Sequence, residues 1–144
     1  MRQWWVEHWG GEIIIVHGET FHPDPLAGFV AQENGQWVGL VTYHIDRQEC
    51  EIMSLDSLQE GKGTGTRLMQ SAIQAAREAG CSRVRVTTTN DDLNALKFYQ
   101  KMGFALAALR RNAMDETRKV KPRVPLIGMN GIPLRDEIEL EFIL

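Results

Sequence analysis

The order of strand-like and helix-like segments predicts an α/β protein, in which helices pack against one mixed sheet. Three observations support this prediction. Apolar runs with strand spacing fill most of the first 58 residues. Two segments with helical spacing follow, and a further strand-like run separates them. Two more strand-like runs come last, so the order is strands, helix, strand, helix, strand, strand.

The length of 144 residues predicts a single domain over residues 1–144, since chains normally divide only at about twice that length. The net charge of −3 argues against a non-specific nucleic-acid binder, which would carry a basic face. No apolar run approaches the roughly 20 residues of a membrane span, and the first ten residues lack the apolar core of a signal peptide. We therefore expect a cytoplasmic protein with no nucleic-acid or membrane partner.

The first half predicts a meander of antiparallel strands. Arg2–Trp9 is interpreted as one or two helical turns that end at Gly10-Gly11. Asn34-Gly35 is a strong hairpin signal between two strand-like runs. The predicted strands are Glu12–Phe21, Leu26–Gln32, Gln36–Ile45 and Cys50–Leu58.

The second half alternates helices and strands. Gly80 and Gly103 are placed to end two helices, because glycine readily adopts the left-handed conformation of a helix C-terminus. Asn90, Asp91 or Asp92 could cap the second of these helices. The predicted helices are Thr66–Ala79, a second one ending at Met102, and Asn112–Lys121; the predicted strands are Ser82–Thr89, Phe104–Leu109 and Ile138–Leu144.

A glycine-rich loop links the strand that ends near Leu58 to the following helix. Glycine stands at every second position of Gly61-Lys62-Gly63-Thr64-Gly65. The first N–H groups of a helix lack internal partners and carry positive potential, so this junction could hold a phosphate group. The spacing excludes two other phosphate loops, because Asp56 stands where a P-loop needs glycine and Thr66 where a dinucleotide fingerprint does. A tight turn without a ligand stays open as the alternative.

Together with the later segment Tyr99-Gln100-Lys101-Met102-Gly103-Phe104, this loop resembles the GNAT acetyltransferase superfamily. That family pairs a Gln/Arg-x-x-Gly-x-Gly/Ala loop with a later helix that ends in Tyr-x-x-x-Gly-Phe. The resemblance covers roughly Trp37 to Phe104. It implies the GNAT fold, with a central, mostly antiparallel sheet and helices on both faces. It also implies an N-acetyltransferase that moves an acetyl group from acetyl-CoA to a primary amine of a small molecule or a protein, without a metal.

The resemblance assigns most of the cofactor contacts to the main chain. Leu55 and Ser57 correspond to the strand end that pairs with the pantetheine arm. Asn90 and Asn94 flank the place of the family's asparagine, which Asp92 occupies here; a capping role for Asn90 is the alternative. Lys62 could add a charge or simply be solvated, and Glu60 departs from the Gln or Arg of the family. The N–H groups expected to hold the pyrophosphate belong to Gly61, Lys62, Gly63, Thr64, Gly65 and Thr66.

The resemblance makes Tyr99 the acid that protonates the departing sulfur, with a plain core aromatic as the alternative. Glu51 lies roughly where histone-type members of the family keep a glutamate that deprotonates the amine through water. Asp56 and His44 compete with it for that role, and so does a chain of water molecules. Strand alternation predicts that Ser54 and Asp56 lie on the face opposite Glu51, so that only one of the two faces can meet the substrate.

The remaining expectations concern the cysteines, the acceptor and assembly. Cys50 and Cys81 are expected to be buried, unreactive thiols, because direct transfer needs no covalent intermediate. An acidic last strand would suit a cationic amine, and Arg110–Leu134 could form a wall of the acceptor site. The front of the chain is short for the family, which predicts a homodimer with three tryptophans at the contact, and a coenzyme A-binding sensor without turnover as the alternative function. The acidic residues are Asp136, Glu137, Glu139 and Glu141, and the tryptophans are Trp4, Trp5 and Trp9.

Overall fold

In the computed structural model of this chain, the described backbone covers residues 3–8, 13–19, 26–58 and 63–144, and the described side chains lie in 27–58 and 63–144. The chain divides into two compact units, residues 1–84 with Leu144 and residues 85–143. Strands and helices occur in the predicted alternation, which confirms the α/β class. Among the described residues no helix is long and apolar enough to cross a membrane.

The first unit is built on an antiparallel meander, as predicted. Each strand pairs with the next one along the chain. The hairpin turn at Asn34 and Gly35 has positive φ at both residues, 53° and 78°, as a tight two-residue hairpin requires. The strands are β1 Gln3–His8, β2 Ile13–Glu19, β3 Leu26–Glu33, β4 Gln36–Asp46 and β5 Glu49–Ser57.

The prediction of helical turns in Arg2–Trp9 is wrong, because Gln3–His8 forms β1. Its backbone pairs with β2 from Gln3 opposite Glu19 to His8 opposite Ile14. Aromatic and β-branched residues favour strands, and a partner strand supplied by the following segment decides the outcome. The side chains of Trp4, Trp5 and Trp9 lie outside the described residues, so their role at a dimer contact stays a prediction.

Helix α1 (Thr64–Glu78) covers one face of this meander and contacts β3, β4 and β5. Its buried side chains recur at helical spacing and pack against the buried residues of β3 and β4. Gly80 follows the helix with φ of 78°, as predicted for a helix end. The core of this unit includes Phe29, Val30, Val41, Tyr43, Leu68, Met69, Ala72, Ile73 and Ala76.

Cys50 and Cys81 are buried free thiols, which confirms the expectation. Burial raises the pKa of Cys50 to about 12, and the nearby Cys81 and Glu51 add to the effect. Burial also raises the pKa of the Cys81 thiol. A thiol with a raised pKa is protonated at neutral pH, so neither cysteine is suited to act as a nucleophile.

The second unit contains most of β6 (Arg83–Thr89), followed by α2 (Leu93–Met102), β7 (Ala105–Arg110), α3 (Ala113–Val120) and β8 (Glu137–Ile143). The strand order is β6-β8-β7, and β7 is antiparallel to β8. Asp92 caps α2 by accepting a hydrogen bond from the Ala95 N–H at 3.0 Å, and Gly103 ends the helix with φ of 110°. The core of this unit includes Val86, Tyr99, Phe104, Met114 and Leu140.

Candidate functional site

The described part of the glycine loop begins at Gly63, and the predicted contacts at Gly61 and Lys62 lie outside the described residues. Gly63 has φ of 74°, in the left-handed region, and an added Cβ there would meet nothing within 4 Å. The Arg67 N–H donates to the Gly63 carbonyl at 3.0 Å, which is the first bond of α1. No side chain caps this helix, and its first turn carries no acidic residue. The helix therefore begins without a side-chain cap or an acidic first turn, and such a helix N-terminus is suited to an anion.

A close approach between α1 and β4 fixes where this helix begins. A Cβ added at Gly39 would lie 2.9 Å from Leu68 Cδ1, 3.0 Å from the Asp56 carbonyl oxygen and 3.1 Å from Thr64 Cγ2. Thr64 is itself buried. Gly39 lies directly opposite Ser57, the last residue of β5. The first turn of the helix therefore sits directly over the end of the strand that leads into the glycine loop.

A bulge in β5 changes which side chains share a face. Thr42 is opposite Ser54, but the next residue, Tyr43, is opposite Ile52, so the pairing skips Met53. Two residues that pair directly across neighbouring strands project from the same face of the sheet. Side chains alternate regularly along β4, so the β5 partners of every second β4 residue share one face even though β5 contains an extra residue. Ser54 and Asp56 were expected on the other face of β5 from Glu51. That expectation is wrong, because it assumed that side chains alternate between faces without interruption along β5.

All three candidate bases consequently lie on one face of the β4–β5 pair. Glu51 is opposite His44, and Asp56 is opposite Leu40. Between these two pairs, the hydroxyls of Thr42 and Ser54 are 2.6 Å apart and hydrogen-bonded. Glu51 and His44 are partly buried, whereas Asp56 is exposed.

A shallow hollow of about 200 Å3 lies at the Asp56 end of this strand pair. Trp37 and Leu58 are 44% and 80% exposed there, so the walls are mainly apolar and accessible. Its lining residues are Trp37, Gly39, Leu40, Asp56 and Leu58.

In the second unit, Tyr99 is the buried residue of α2, with 9% of its surface exposed. Its ring centre lies 5.4 Å from that of Phe98 and 5.7 Å from that of Phe104. The ring centres of Phe104 and Phe142 are in turn 5.5 Å apart. These contacts hold the tyrosine ring in a fixed orientation, which both a positioned acid and a core aromatic require. Asn94, on the same helix, is exposed.

Asn90 is bound to the segment that precedes β8. Its Oδ1 accepts hydrogen bonds from the Arg135 and Asp136 N–H groups at 3.0 and 2.9 Å, and its Nδ2 donates to the Pro133 carbonyl at 2.8 Å. Its expected alternative role as a helix cap is wrong, since Asp92 caps α2. The cofactor contact predicted for Asn90 stays a prediction.

Asp91 binds the segment around Met129, a role that the sequence did not reveal. It is buried, and its carboxylate accepts hydrogen bonds from the Thr89 hydroxyl at 2.5 Å and the Met129 N–H at 2.8 Å. Burial alone would raise the pKa of Asp91, but these hydrogen bonds outweigh it and the pKa lies below its ordinary value. A Cβ added at Gly128 would meet Asp91 Oδ2 at 2.1 Å. No local sequence pattern could reveal this contact, because Asp91 and Met129 are 38 residues apart in the chain.

Two of the four carboxylates that were expected to make the last strand acidic are buried. Glu139 is buried and forms ion pairs with Arg85 at 3.3 Å and Arg110 at 3.0 Å. Asp136 is also buried, and the Asn112 N–H and Arg135 bind its carboxylate. Arg110 also lies 4.0 Å from Glu137, so arginines pair with three of the four acidic residues. Among the described residues, no group of three or more His, Cys, Asp or Glu side chains is placed to hold a metal ion.

The antiparallel meander, the glycine turn and the uncapped helix together define an α/β protein in which a glycine-led helix follows the last strand of the meander. The profile of the "Acetyltransferase (GNAT) family" matches residues 1–104. The chain therefore belongs to the GNAT acetyltransferase family, which confirms the resemblance.

Three comparisons place the chain among known proteins. It is 43% identical over 139 residues to the uncharacterized protein YdhI of Bacillus subtilis, which covers 96% of this chain and 87% of that protein. It is 31% identical over 98 residues to N-alpha-acetyltransferase 30 of Xenopus laevis, covering 63% of this chain and 36% of that protein. A Bacillus subtilis acetyltransferase solved in complex with CoA superposes with a TM-score of 0.72 at 25% identity, covering 83% of this chain and 77% of that one.

Proposed function

We propose that this protein is an N-acetyltransferase that moves an acetyl group from acetyl-CoA to a primary amine. The observation that carries the proposal is the start of α1 after Gly63, which has no side-chain cap and no acidic residue in its first turn. Membership of the GNAT family and the CoA complex of a structural neighbour support it. In the proposed complex, the N–H groups from Gly61 to Thr66 hold the pyrophosphate, and the main chain of Leu55 and Ser57 holds the pantetheine arm.

In the proposed reaction, the neutral amine attacks the thioester carbonyl carbon directly. The carbon–nitrogen bond forms, the carbon–sulfur bond breaks, and the nitrogen loses one proton. Glu51 takes that proton directly or through water, and the Tyr99 hydroxyl gives one to the departing thiolate. Buried, protonated Cys50 and Cys81 agree with direct transfer, because no thiolate is placed to form an acyl-enzyme.

The cofactor site is tested by calorimetric titration of acetyl-CoA into the parent chain and the Gly63→Glu variant. We expect the variant to lose most of the binding, since its carboxylate stands at the predicted pyrophosphate site. Gly35→Glu is a matched control, because Gly35 has φ of 78°, an added Cβ there meets nothing within 4 Å, and it lies at the tip of a hairpin. Equal loss in both variants would trace the effect to backbone strain or charge. No binding by the parent would refute the proposal.

The catalytic roles are tested by measuring thiol release with a panel of amines. Tyr99→Phe keeps the ring contacts with Phe98 and Phe104, so we expect unchanged acetyl-CoA affinity and a fall in kcat of about 10²-fold or more. Unchanged kcat would exclude Tyr99 as the acid. Because the bulge brings the rival bases to one face, Glu51→Gln is compared with His44→Gln and Asp56→Asn, and we expect the largest fall in kcat from Glu51→Gln. Binding without turnover for every amine would favour a coenzyme A sensor instead.

A further inference from the structure

Strand β7 has an unpaired edge in the second unit. In the order β6-β8-β7 it is the last strand, so among the described strands only β8 pairs with it. All six of its residues are exposed. Its first five residues, Ala105–Leu109, include no charged residue and no proline, which are common means of protecting a sheet edge.

A bulge brings the two leucines of β7 onto one face. Leu106 is opposite Leu140 and Leu109 is opposite Ile138, because the pairing skips Ala107. Leu140 and Ile138 are two residues apart on β8 and therefore share a face. Without the bulge, leucines three residues apart would point to opposite faces.

Leu106 and Leu109 continue the apolar face of β8 onto the edge strand β7. Leu140, beside them, is fully buried, whereas Leu106 and Leu109 are 58% and 64% exposed. The apolar surface therefore continues from the core to the edge strand and ends in solvent. An apolar margin next to free backbone hydrogen-bonding groups is the usual setting for strand addition.

The sequence of this edge is complementary to itself. Leu106-Ala107-Ala108-Leu109 has the same order in both directions. If two copies pair antiparallel about a twofold axis between Ala107 and Ala108, Leu106 of each lies opposite Leu109 of the other. Because the bulge places both leucines on one face, this register also satisfies the rule that opposed residues share a face.

We propose that β7 pairs with β7 of a second copy of this chain, which continues the sheet across a twofold axis. The edge hydrogen bonds and the facing Leu106–Leu109 pairs hold the two copies together. A twofold contact needs a self-complementary surface, and this strand provides one in both its sequence and its faces. The inference is independent of the acetyl transfer proposed above.

Light scattering tests the proposal through mass in solution. The parent is expected at twice the 16.3 kDa chain mass. Leu106→Lys/Leu109→Lys is expected at the chain mass, because each lysine would face a lysine of the other copy. Leu126→Lys is the matched control, since Leu126 is 72% exposed in the same unit but outside the edge, and it should remain dimeric. Thermal unfolding checks that each variant is folded.

A charge-pair mixture tests the register itself. Leu106→Glu/Leu109→Glu alone is also expected at the chain mass. Mixing it in equal amounts with Leu106→Lys/Leu109→Lys should restore the doubled mass, because each lysine then faces a glutamate. A monomeric parent would overturn the proposal and leave the bulge as a device that protects the edge. A dimer that persists in the double-lysine variant, or a mixture that stays monomeric, would overturn it equally.

Discussion

Replacing Gly39 by alanine should disturb both the packing of α1 and the binding of acetyl-CoA. The new Cβ would lie 2.9 Å from Leu68 Cδ1, 3.0 Å from the Asp56 carbonyl oxygen and 3.1 Å from Thr64 Cγ2. Carbon atoms in good contact lie about 3.5–4.0 Å apart, so the Leu68 and Thr64 side chains of α1 have to move away from β4 by roughly 0.5 Å, and we expect the first turn of the helix to shift with them. That turn carries the N–H groups of the proposed pyrophosphate site.

The expected loss of stability follows from two opposing terms. Overpacking a filled core destabilises a protein by about 1–3 kcal/mol. Alanine regains about 0.5–1 kcal/mol, because glycine loses more conformational freedom on folding. We therefore expect the free energy of unfolding to fall by about 1–2 kcal/mol and the Tm by about 3–8 °C.

The assay combines thermal and urea unfolding with titration of acetyl-CoA. Thr64→Ser removes the methyl group that the new Cβ would meet and keeps the hydroxyl. Gly39→Ala/Thr64→Ser should therefore be more stable than the two single changes predict, by about 0.5 kcal/mol or more. Strictly additive effects, or a Gly39→Ala variant with parent stability and affinity, would refute the idea that this contact positions α1.

Two further predictions concern buried ionisable groups. The hydrogen bond from the Asn112 N–H, outweighing burial and helped by Arg135, holds the pKa of Asp136 below its ordinary value. Its stabilisation is therefore complete above about pH 4, the ordinary range for aspartate, and is lost as the pH falls through the lowered pKa. Urea unfolding of the parent and Asp136→Asn should differ most at neutral pH and converge in acid; a constant difference would contradict this. For the thiols, the pKa of about 12 at Cys50 predicts that an alkylating reagent at pH 8 modifies the folded chain far more slowly than the unfolded chain, as followed by mass spectrometry. Equal rates would contradict the burial of these cysteines.

Features that depend on neighbouring residues could be predicted from the sequence. Helical spacing and a following glycine located α1 and α2, since each helix forms its bonds within its own segment. The Asn34-Gly35 turn, the glycine loop before α1 and the aromatic segment at Tyr99 were found for the same reason. Together, the last two also indicated the GNAT family that the comparison with known proteins confirmed.

Features that depend on distant residues were decided only by the tertiary structure. Residues 3–8 became a strand because β2 pairs with them, and a single segment cannot reveal its partner. The bulges at Met53 and Ala107 are properties of two strands in register, and each reverses the face that simple alternation assigns to the residues beyond it. The anchoring of Met129 by Asp91 and the neutralisation of Glu139 by Arg85 likewise join residues far apart in the chain. The sequence alone therefore determined the family and located the glycine-rich loop before α1, whereas pairing and packing across the chain decided which side chains share a face and which charges remain exposed.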